Sequence, residues 1–406
     1  MKTEKPIPSS EVRARYARHV VPSYKRPDSA PVLVRGKGTR VWDADGTEYL
    51  DFGSGIAVNC LGHAHPRLAE VMKKQAEELV HVSNLFFHPK QAELAEALVR
   101  RIGPGKVFFC NSGAEANEAM VKAVRKAGST QGRHEIITTI NSFHGRTLGM
   151  IAASGQERLR EGFGPSMPGF VYVPYNDLAA VEKAIGPKTV AVMIEGIQGE
   201  GGILPAKAEY LIGLRKLTQE KSVYLVMDSV QCGHYRTGCF QSYERILREA
   251  KSKEVFLPDA VSMAKSLGGG FPIGAVWLGE KLADVLGPGT HATTYGGTPL
   301  ACAVALEILR IIEEENLAKN IETMGEELKR GLGQLSGKGW VGEVRGYGGM
   351  VGVTVRGSGH AEVAARLAQA GLLVVPAGSD VLRFLAPYNV SRQEITEALQ
   401  KVESTL

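Results

Sequence analysis

The sequence predicts an α/β protein, with a mostly parallel central sheet flanked by helices and a smaller α+β lobe built from both chain ends. Three observations carry this prediction. Strand-length apolar runs alternate with helical-period stretches between about residues 70 and 299, as in a sheet buried on both faces. Polar and charged residues gather directly after those runs, where open α/β sheets hold their ligands. The two ends follow other patterns, alternating near the start and glycine-broken near the finish.

In chain order, residues 31–50 alternate apolar and polar around Asp45-Gly46, a hairpin signal. Residues 107–110 are an apolar run rich in β-formers, and 114–126 follow with helical spacing. Residues 134–140 and 171–174 read as strands. Asp177 stands as the N-cap of a helix over 177–185. Residues 190–194 form a continuous apolar strand, 209–221 an amphipathic helix and 223–227 another strand. Residues 259–264 and 275–278 complete the strand candidates. A long helical pattern runs over 300–335, and 340–355 reads as strands broken by Gly346, Gly348 and Gly349. Residues 361–370 read as helix, 374–375 as strand and 392–406 as a final helix. The expected division is an N-terminal segment (1–69) that joins the small lobe, a large domain (70–299) and a C-terminal small domain (300–406).

Composition excludes several classes. A hydrophobic fraction of 44% and a charged fraction of 22% rule out a disordered chain. No apolar run approaches the roughly 18 residues of a membrane span. A net charge of +5 on 406 residues, spread along the chain, gives no footprint for nucleic acid. Cys60, Cys110, Cys232, Cys239 and Cys302 are scattered, odd in number and without a CxxC, which fits reduced thiols. Residues 1–25 are polar and basic without an apolar core, so a secretory signal is not expected; a transit peptide is the weaker reading. The expectation is a cytoplasmic protein.

The residues after each predicted strand form a candidate rim. Ser112-Gly113-Ala114 opens a helix, and its free N–H groups and dipole suit a phosphate. An ordinary capped helix start looks the same, and no GxxxxGK[ST] loop occurs. Asp228 follows an apolar strand, where a carboxylate is costly to bury alone. It caps the next turn, or it holds a protonated heterocycle or a metal. Lys265 follows another strand and precedes Gly268-Gly269-Gly270. At a buried rim its amine loses its proton more readily and becomes nucleophilic; at a solvated surface it does not. Phosphate nest, anion and amine together are the three parts that pyridoxal phosphate requires. Phe143 offers a flat apolar face to the ring, and Gln231 a donor to a ring oxygen. Arg383, inside Val381-Leu382-Arg383-Phe384-Leu385, wants a carboxylate partner, from a substrate or from the protein. With Arg146 it could clamp both ends of a dicarboxylate, and Glu200 belongs to the same chemistry.

Three motifs carry less. Gly287-Pro288-Gly289-Thr290-His291-Ala292 fits a dinucleotide fingerprint, but it follows a helical stretch and has a proline in the turn. Ser262-Met263-Ala264-Lys265 spells SxxK without SDN or KTG. His63-Ala64-His65 precedes a proline and reads as a turn rather than a metal site.

These residues resemble the class III family of PLP-dependent aminotransferases nearly end to end, from Val41-Trp42-Asp43-Ala44-Asp45-Gly46 to the last helix. The matching stretches are Phe109 to Glu118, Phe143-His144-Gly145-Arg146-Thr147, Gln198-Gly199-Glu200-Gly201-Gly202, Ala264 to Pro272 and Thr294-Tyr295-Gly296-Gly297. Ser54-Gly55-Ile56-Ala57-Val58-Asn59, Leu61 to Pro66, and the stretch from Gly164 to Asp177 look most like the acetylornithine branch. The resemblance implies the fold-type-I PLP-dependent transferase fold and a homodimer with shared active sites. It implies that Lys265 is the Schiff-base lysine and that Asp228 pairs with the pyridine nitrogen. Ser112, Gly113 and Ala114 would bind the phosphate, joined by Thr294 from a partner subunit. Phe143 would stack on the ring and Gln231 contact its hydroxyl. Arg383 would bind the α-carboxylate of glutamate or 2-oxoglutarate, Glu200 would neutralise it in turn, and Arg146 would receive the other carboxylate. Glu195 belongs to the same wall. Ile56 stands where ornithine δ-aminotransferases resemble one another in carrying Tyr.

Four departures from the family pattern stand out: Ser229 for an acid, Gly196 for Pro, Thr298 for Asn, and a long 241–258 segment. The implied reaction is transfer of the distal amine of N-acetylornithine to 2-oxoglutarate, a step of arginine biosynthesis. The alternatives are 4-aminobutyrate or another ω-amine as donor, a PLP-dependent aminomutase or racemase, and a non-catalytic PLP-binding protein.

Overall fold

The computed structural model describes residues 7–24 and 26–406. The basic stretch read at 1–25 falls partly on residues 1–6 and 25, which lie outside the described residues; within it, Ser9–His19 forms a helix that the sequence pattern does not anticipate.

Seven strands form the central sheet: Gly105–Cys110 (β1), Glu135–Thr139 (β2), Phe170–Val173 (β3), Thr189–Glu195 (β4), Tyr224–Asp228 (β5), Ala260–Met263 (β6) and Gly274–Gly279 (β7). Their spatial order is β1-β7-β6-β5-β4-β2-β3. The pairs β6/β5, β5/β4, β4/β2 and β2/β3 are parallel, and β7 runs antiparallel to both β6 and β1. Every residue of β4 and of β7 is buried, which is why these segments read as unbroken apolar runs. Helices cover both faces, so the sheet has no wet side. Asp177 caps its helix as expected, accepting from the Ala180 N–H at 2.9 Å.

The chain ends meet in one small sheet. Arg40–Asp43 and Glu48–Asp51 form the expected antiparallel pair, and Glu48–Asp51 pairs in parallel with Leu372–Leu373. A second antiparallel sheet contains Val341–Tyr347, Met350–Val355, Val381–Phe384 and Val375–Ala377, and it carries Arg383.

Several expectations are corrected. The helical pattern over 300–335 is two helices, Pro299–Glu314 and Leu317–Gln334, interrupted where Asn316 takes a left-handed conformation (φ 52°, ψ 38°). Asparagine tolerates that conformation, so no Gly or Pro marks the break. The strand at 374–375 is two short strands in different sheets, divided at Val374. The final helix ends at Glu403. Helices Pro66–Glu78, Pro89–Ile102 and Ser242–Glu249 were not anticipated.

Two of the departures explain each other. A Cβ at Gly196 would come within 2.2 Å of the Ser242 Oγ, and Ser242 opens the helix inside the long 241–258 segment. Thr298 caps Pro299–Glu314 by accepting from the Ala301 N–H at 3.3 Å, a task Asn also performs. The Ser229 hydroxyl is buried without a hydrogen-bond partner. Among the described residues no helix is long and apolar enough to cross a membrane.

Candidate active site

The carboxyl ends of β1, β2, β4, β5 and β6 converge on a cavity that opens to solvent. Its lining includes Ser112, Gly113, Ala114, Phe143, Glu195, Glu200, Asp228, Gln231 and Lys265. The expected rim residues, drawn from separate stretches of sequence, are therefore brought together.

Ser112 caps the helix Gly113–Gly128, accepting from the Glu115 N–H at 3.2 Å. The Gly113 and Ala114 N–H groups, in the first turn, have no carbonyl partner within the helix, and both residues line the cavity, where such donors suit an anion. Gly113 is required by close packing: a Cβ there would lie 2.6 Å from Val230 Cγ1.

Asp228 ends β5 and is 3% exposed. Its Oδ2 meets Asn117 Nδ2 and His144 Nδ1, each at 2.8 Å. Its Oδ1 accepts from the Val230 N–H at 3.0 Å, with the Ser262 hydroxyl at 3.5 Å. A carboxylate only accepts, so His144 Nδ1 carries the proton, while its Nε2 faces Thr138 Oγ1 at 3.2 Å. Three close donors hold the anion and leave acceptor capacity for one more, such as a protonated ring nitrogen. Asn117 and His144 lie inside recognised motifs, yet nothing in the spacing assigns them to Asp228, which is 111 and 84 residues away.

Lys265 follows β6 at φ 46°, a left-handed backbone that turns the chain at the cavity wall. Burial, and then the nearby Arg383 charge, pull its amine down to about 8, against the opposing pull of Asp228, Glu195 and Glu200. At pH 8 about half of such amines are uncharged and nucleophilic. Reductive labelling of the apoprotein with an aldehyde, followed at Lys265 by mass spectrometry, is expected to rise with pH through a midpoint near 8. A midpoint at the ordinary lysine value of 10.5 would count against this setting.

Glu195 ends β4, accepting from the Phe143 N–H at 2.9 Å and the Gly199 N–H at 3.1 Å. Burial pushes its carboxyl up, and Asp228 adds to the rise, while His144 opposes it. Arg383 sits just behind the cavity wall, 2% exposed. Its Nη2 pairs with Glu200 Oε2 at 3.0 Å and donates to the Pro376 carbonyl at 3.1 Å. Its Nη1 donates to Gln231 Oε1 at 3.2 Å, which leaves the Gln231 amide N–H free to donate into the cavity. Burial lowers the Arg383 pKa, and Glu200 holds its charge.

Three expected site residues lie outside the lining of this cavity. Arg146 is exposed, with its guanidinium carbon 5.6 Å from the Phe143 ring centroid, and it is not part of the cavity lining. Thr294 is exposed in a separate cleft with His81 and His88. Ile56 is 44% exposed and outside the lining, where Val58 stands instead. Ser54, Gly55, Ile56 and Ala57 all have positive φ (46°, 63°, 64° and 61°), a left-handed turn costing about 1–2 kcal/mol for each non-glycine residue. Asp51 secures its entrance, accepting from the Gly53 and Ser54 N–H groups at 2.9 Å. The Ser266 hydroxyl secures its exit, donating to the Ala57 carbonyl at 3.2 Å. His63 pairs with Asp51 at 2.8 Å, so the His-Ala-His stretch serves this turn.

A nest of N–H donors, a buried anion with spare acceptor capacity and a depressed amine surround one cavity, and this donor set fits pyridoxal phosphate. Comparison with known proteins agrees with that chemistry. Residues 23–406 match the family described as aminotransferase class-III. The acetylornithine aminotransferase of Caldanaerobacter subterraneus subsp. tengcongensis is 45% identical over 379 residues, covering 92% of this chain and 94% of that protein. The enzyme of the same name from Pseudomonas putida is 43% identical over 398 residues, covering 96% of each. Among solved structures, ornithine aminotransferase from Toxoplasma gondii, described with partial occupancy of PLP at its active site, superposes with a TM-score of 0.91 at 33% identity, covering 98% of this chain and 94% of that one. N-acetylornithine aminotransferase from Stenotrophomonas maltophilia gives 0.81 at 36% identity, covering 97% of each. With the match running from residue 23 to the last residue, and Lys265 and Asp228 facing one cavity, the chain belongs to the class-III aminotransferases.

Proposed function

We propose that the protein binds pyridoxal 5'-phosphate and transfers the distal amine of N-acetylornithine to 2-oxoglutarate. The observation that carries this reading is the Arg383–Glu200 pair, 3.0 Å apart beside the Lys265 cavity. A neutralised arginine suits a donor that reacts through an amine remote from its α-carboxylate. An arginine uncovered by movement of Glu200 suits the α-carboxylate of the keto acid. The bound cofactor supplies the electron sink for carbanion chemistry. The protein's part would be to hold the phosphate at Ser112, Gly113 and Ala114, to offer the Asp228 carboxylate to the ring nitrogen, and to present the Phe143 face to the ring. The Gln231 amide would donate to the ring oxygen. Lys265 Nζ takes up and returns the substrate proton as general base and acid. Glu195 forms the adjoining wall, and Arg146 and Ile56 meet the outer end of the substrate.

The same reading includes a homodimer in which Thr294 completes the partner's phosphate site. It is supported by the exposure of Thr294 and by the apolar side chains Leu85, Phe86, Phe87 and Tyr295 on the surface, hydrocarbon of the kind that a partner subunit would cover. A cytoplasmic setting and a place in arginine biosynthesis follow from the proposed reaction, and five free cysteines accord with a reducing compartment.

Initial rates with a panel of donors at fixed 2-oxoglutarate test the proposal. N-acetylornithine is expected to give the highest kcat/KM; if it does no better than 4-aminobutyrate, the donor assignment fails. Product formed without any keto acid would instead indicate an isomerase.

A further inference from the structure

A second cleft adjoins the main cavity and shares Glu200 with it. Gln156, Arg158, Ser379 and Asp380 stand in its walls. Glu200 is thus placed between two guanidinium groups of different character. Its Oε2 meets Arg383 at 3.0 Å, and its Oε1 lies 3.7 Å from Arg158 Nη2. The Arg383 side chain is 2% exposed and that of Arg158 is 61% exposed. Arg158 is oriented by Gln156, whose Oε1 accepts from its Nε at 3.3 Å and its Nη2 at 3.0 Å. Glu157 and Asp380 also line this cleft, but among the described residues neither forms an ion pair with Arg158.

A keto-acid carboxylate arriving at Arg383 meets Glu200 already there. Two carboxylates on one buried guanidinium repel each other strongly at low effective dielectric, so Glu200 must move, and it remains close to the newly bound anion. Closing the Arg158 gap from 3.7 Å to an ordinary charged hydrogen bond takes a shift of only about 1 Å.

We propose that Arg158 is a specificity-determining residue that receives the Glu200 carboxylate when Arg383 binds the acceptor. This rests on the function proposed above for Arg383 and Glu200. Arg158 acts only in the half-reaction that uses the keto acid, because in the donor half-reaction Glu200 stays on Arg383.

The test is stopped-flow kinetics of the two half-reactions, using the holoenzyme with N-acetylornithine and 2-oxoglutarate. Arg158→Gln is expected to raise the 2-oxoglutarate KM by about two- to fivefold, the size of a partly exposed ion pair, with the donor KM unchanged. Arg158→Lys restores most of the loss. In a Glu200→Gln background the same substitution has no effect, since the carboxylate it would receive is gone. An unchanged acceptor KM in Arg158→Gln overturns the proposal, as does an equal effect in the Glu200→Gln background. A wild-type holoenzyme that converts no amino donor overturns the proposed function itself, and the role of Arg158 with it.

Discussion

Replacing Lys265 with alanine is expected to reduce transamination by about 10⁴-fold or more while the protein stays folded. The rate loss reflects two tasks held by one atom. Nζ is the nucleophilic amine of the cavity, and it is the group placed to move the substrate proton, a contribution alone of about 10²–10⁴-fold. The fold is spared because Lys265 makes no ion pair among the described residues, so its loss strands no partner. The charge balance points the same way. Its folded pKa, about 8, is depressed below the ordinary 10.5, so the native state resists protonation. That cost is present in full below pH 8 and disappears above 10.5. At neutral pH the alanine apoprotein should therefore melt no lower than the wild type. Turnover assays and thermal melts check both halves, and retained turnover would remove Lys265 from the chemistry.

The second large effect is expected at Arg383. Loss of a charge-assisted bidentate contact costs about 1.5–3 kcal/mol, or roughly a 10- to 150-fold rise in the 2-oxoglutarate KM. Arg383→Ala shows the full loss, and Arg383→Lys keeps the charge and much of the volume in this buried position, which separates substrate binding from folding. Glu200 is 28% exposed, so water can hydrate it once its partner is gone. Steady-state kinetics over a 2-oxoglutarate series measures the effect. An unchanged acceptor KM in a folded variant would show that the carboxylate binds elsewhere.

How far the sequence could be read depended on how local the cause was. The strand around 190–194 was plain because all seven residues of β4 are buried. Lys265, Asp228 and the Ser112 turn could be found because the ends of parallel strands share one rim. The helices at 66–78 and 89–102 fall outside the elements predicted from apolar spacing, although each begins with a proline directly after a histidine, a helix-start signal. The break at Asn316 was invisible because apolar spacing continues on both sides of it. Nothing in the spacing assigns His144 and Asn117 a role, since their partnership with Asp228 exists only once β2 and the helix after β1 are packed beside β5. Arg146, Ile56 and Thr294 rest on resemblance alone, and a single chain leaves all three outside the cavity lining.

The left-handed turn at Ser54–Ala57 reverses the usual ranking of substitutions. Glycine, which elsewhere loosens a chain, is the residue this backbone prefers at position 56, and a branched side chain is the one it resists. Mutational drift at this site is therefore biased toward losing the side chain, and redesign of residue 56 starts against that bias unless the Asp51 and Ser266 anchors are kept.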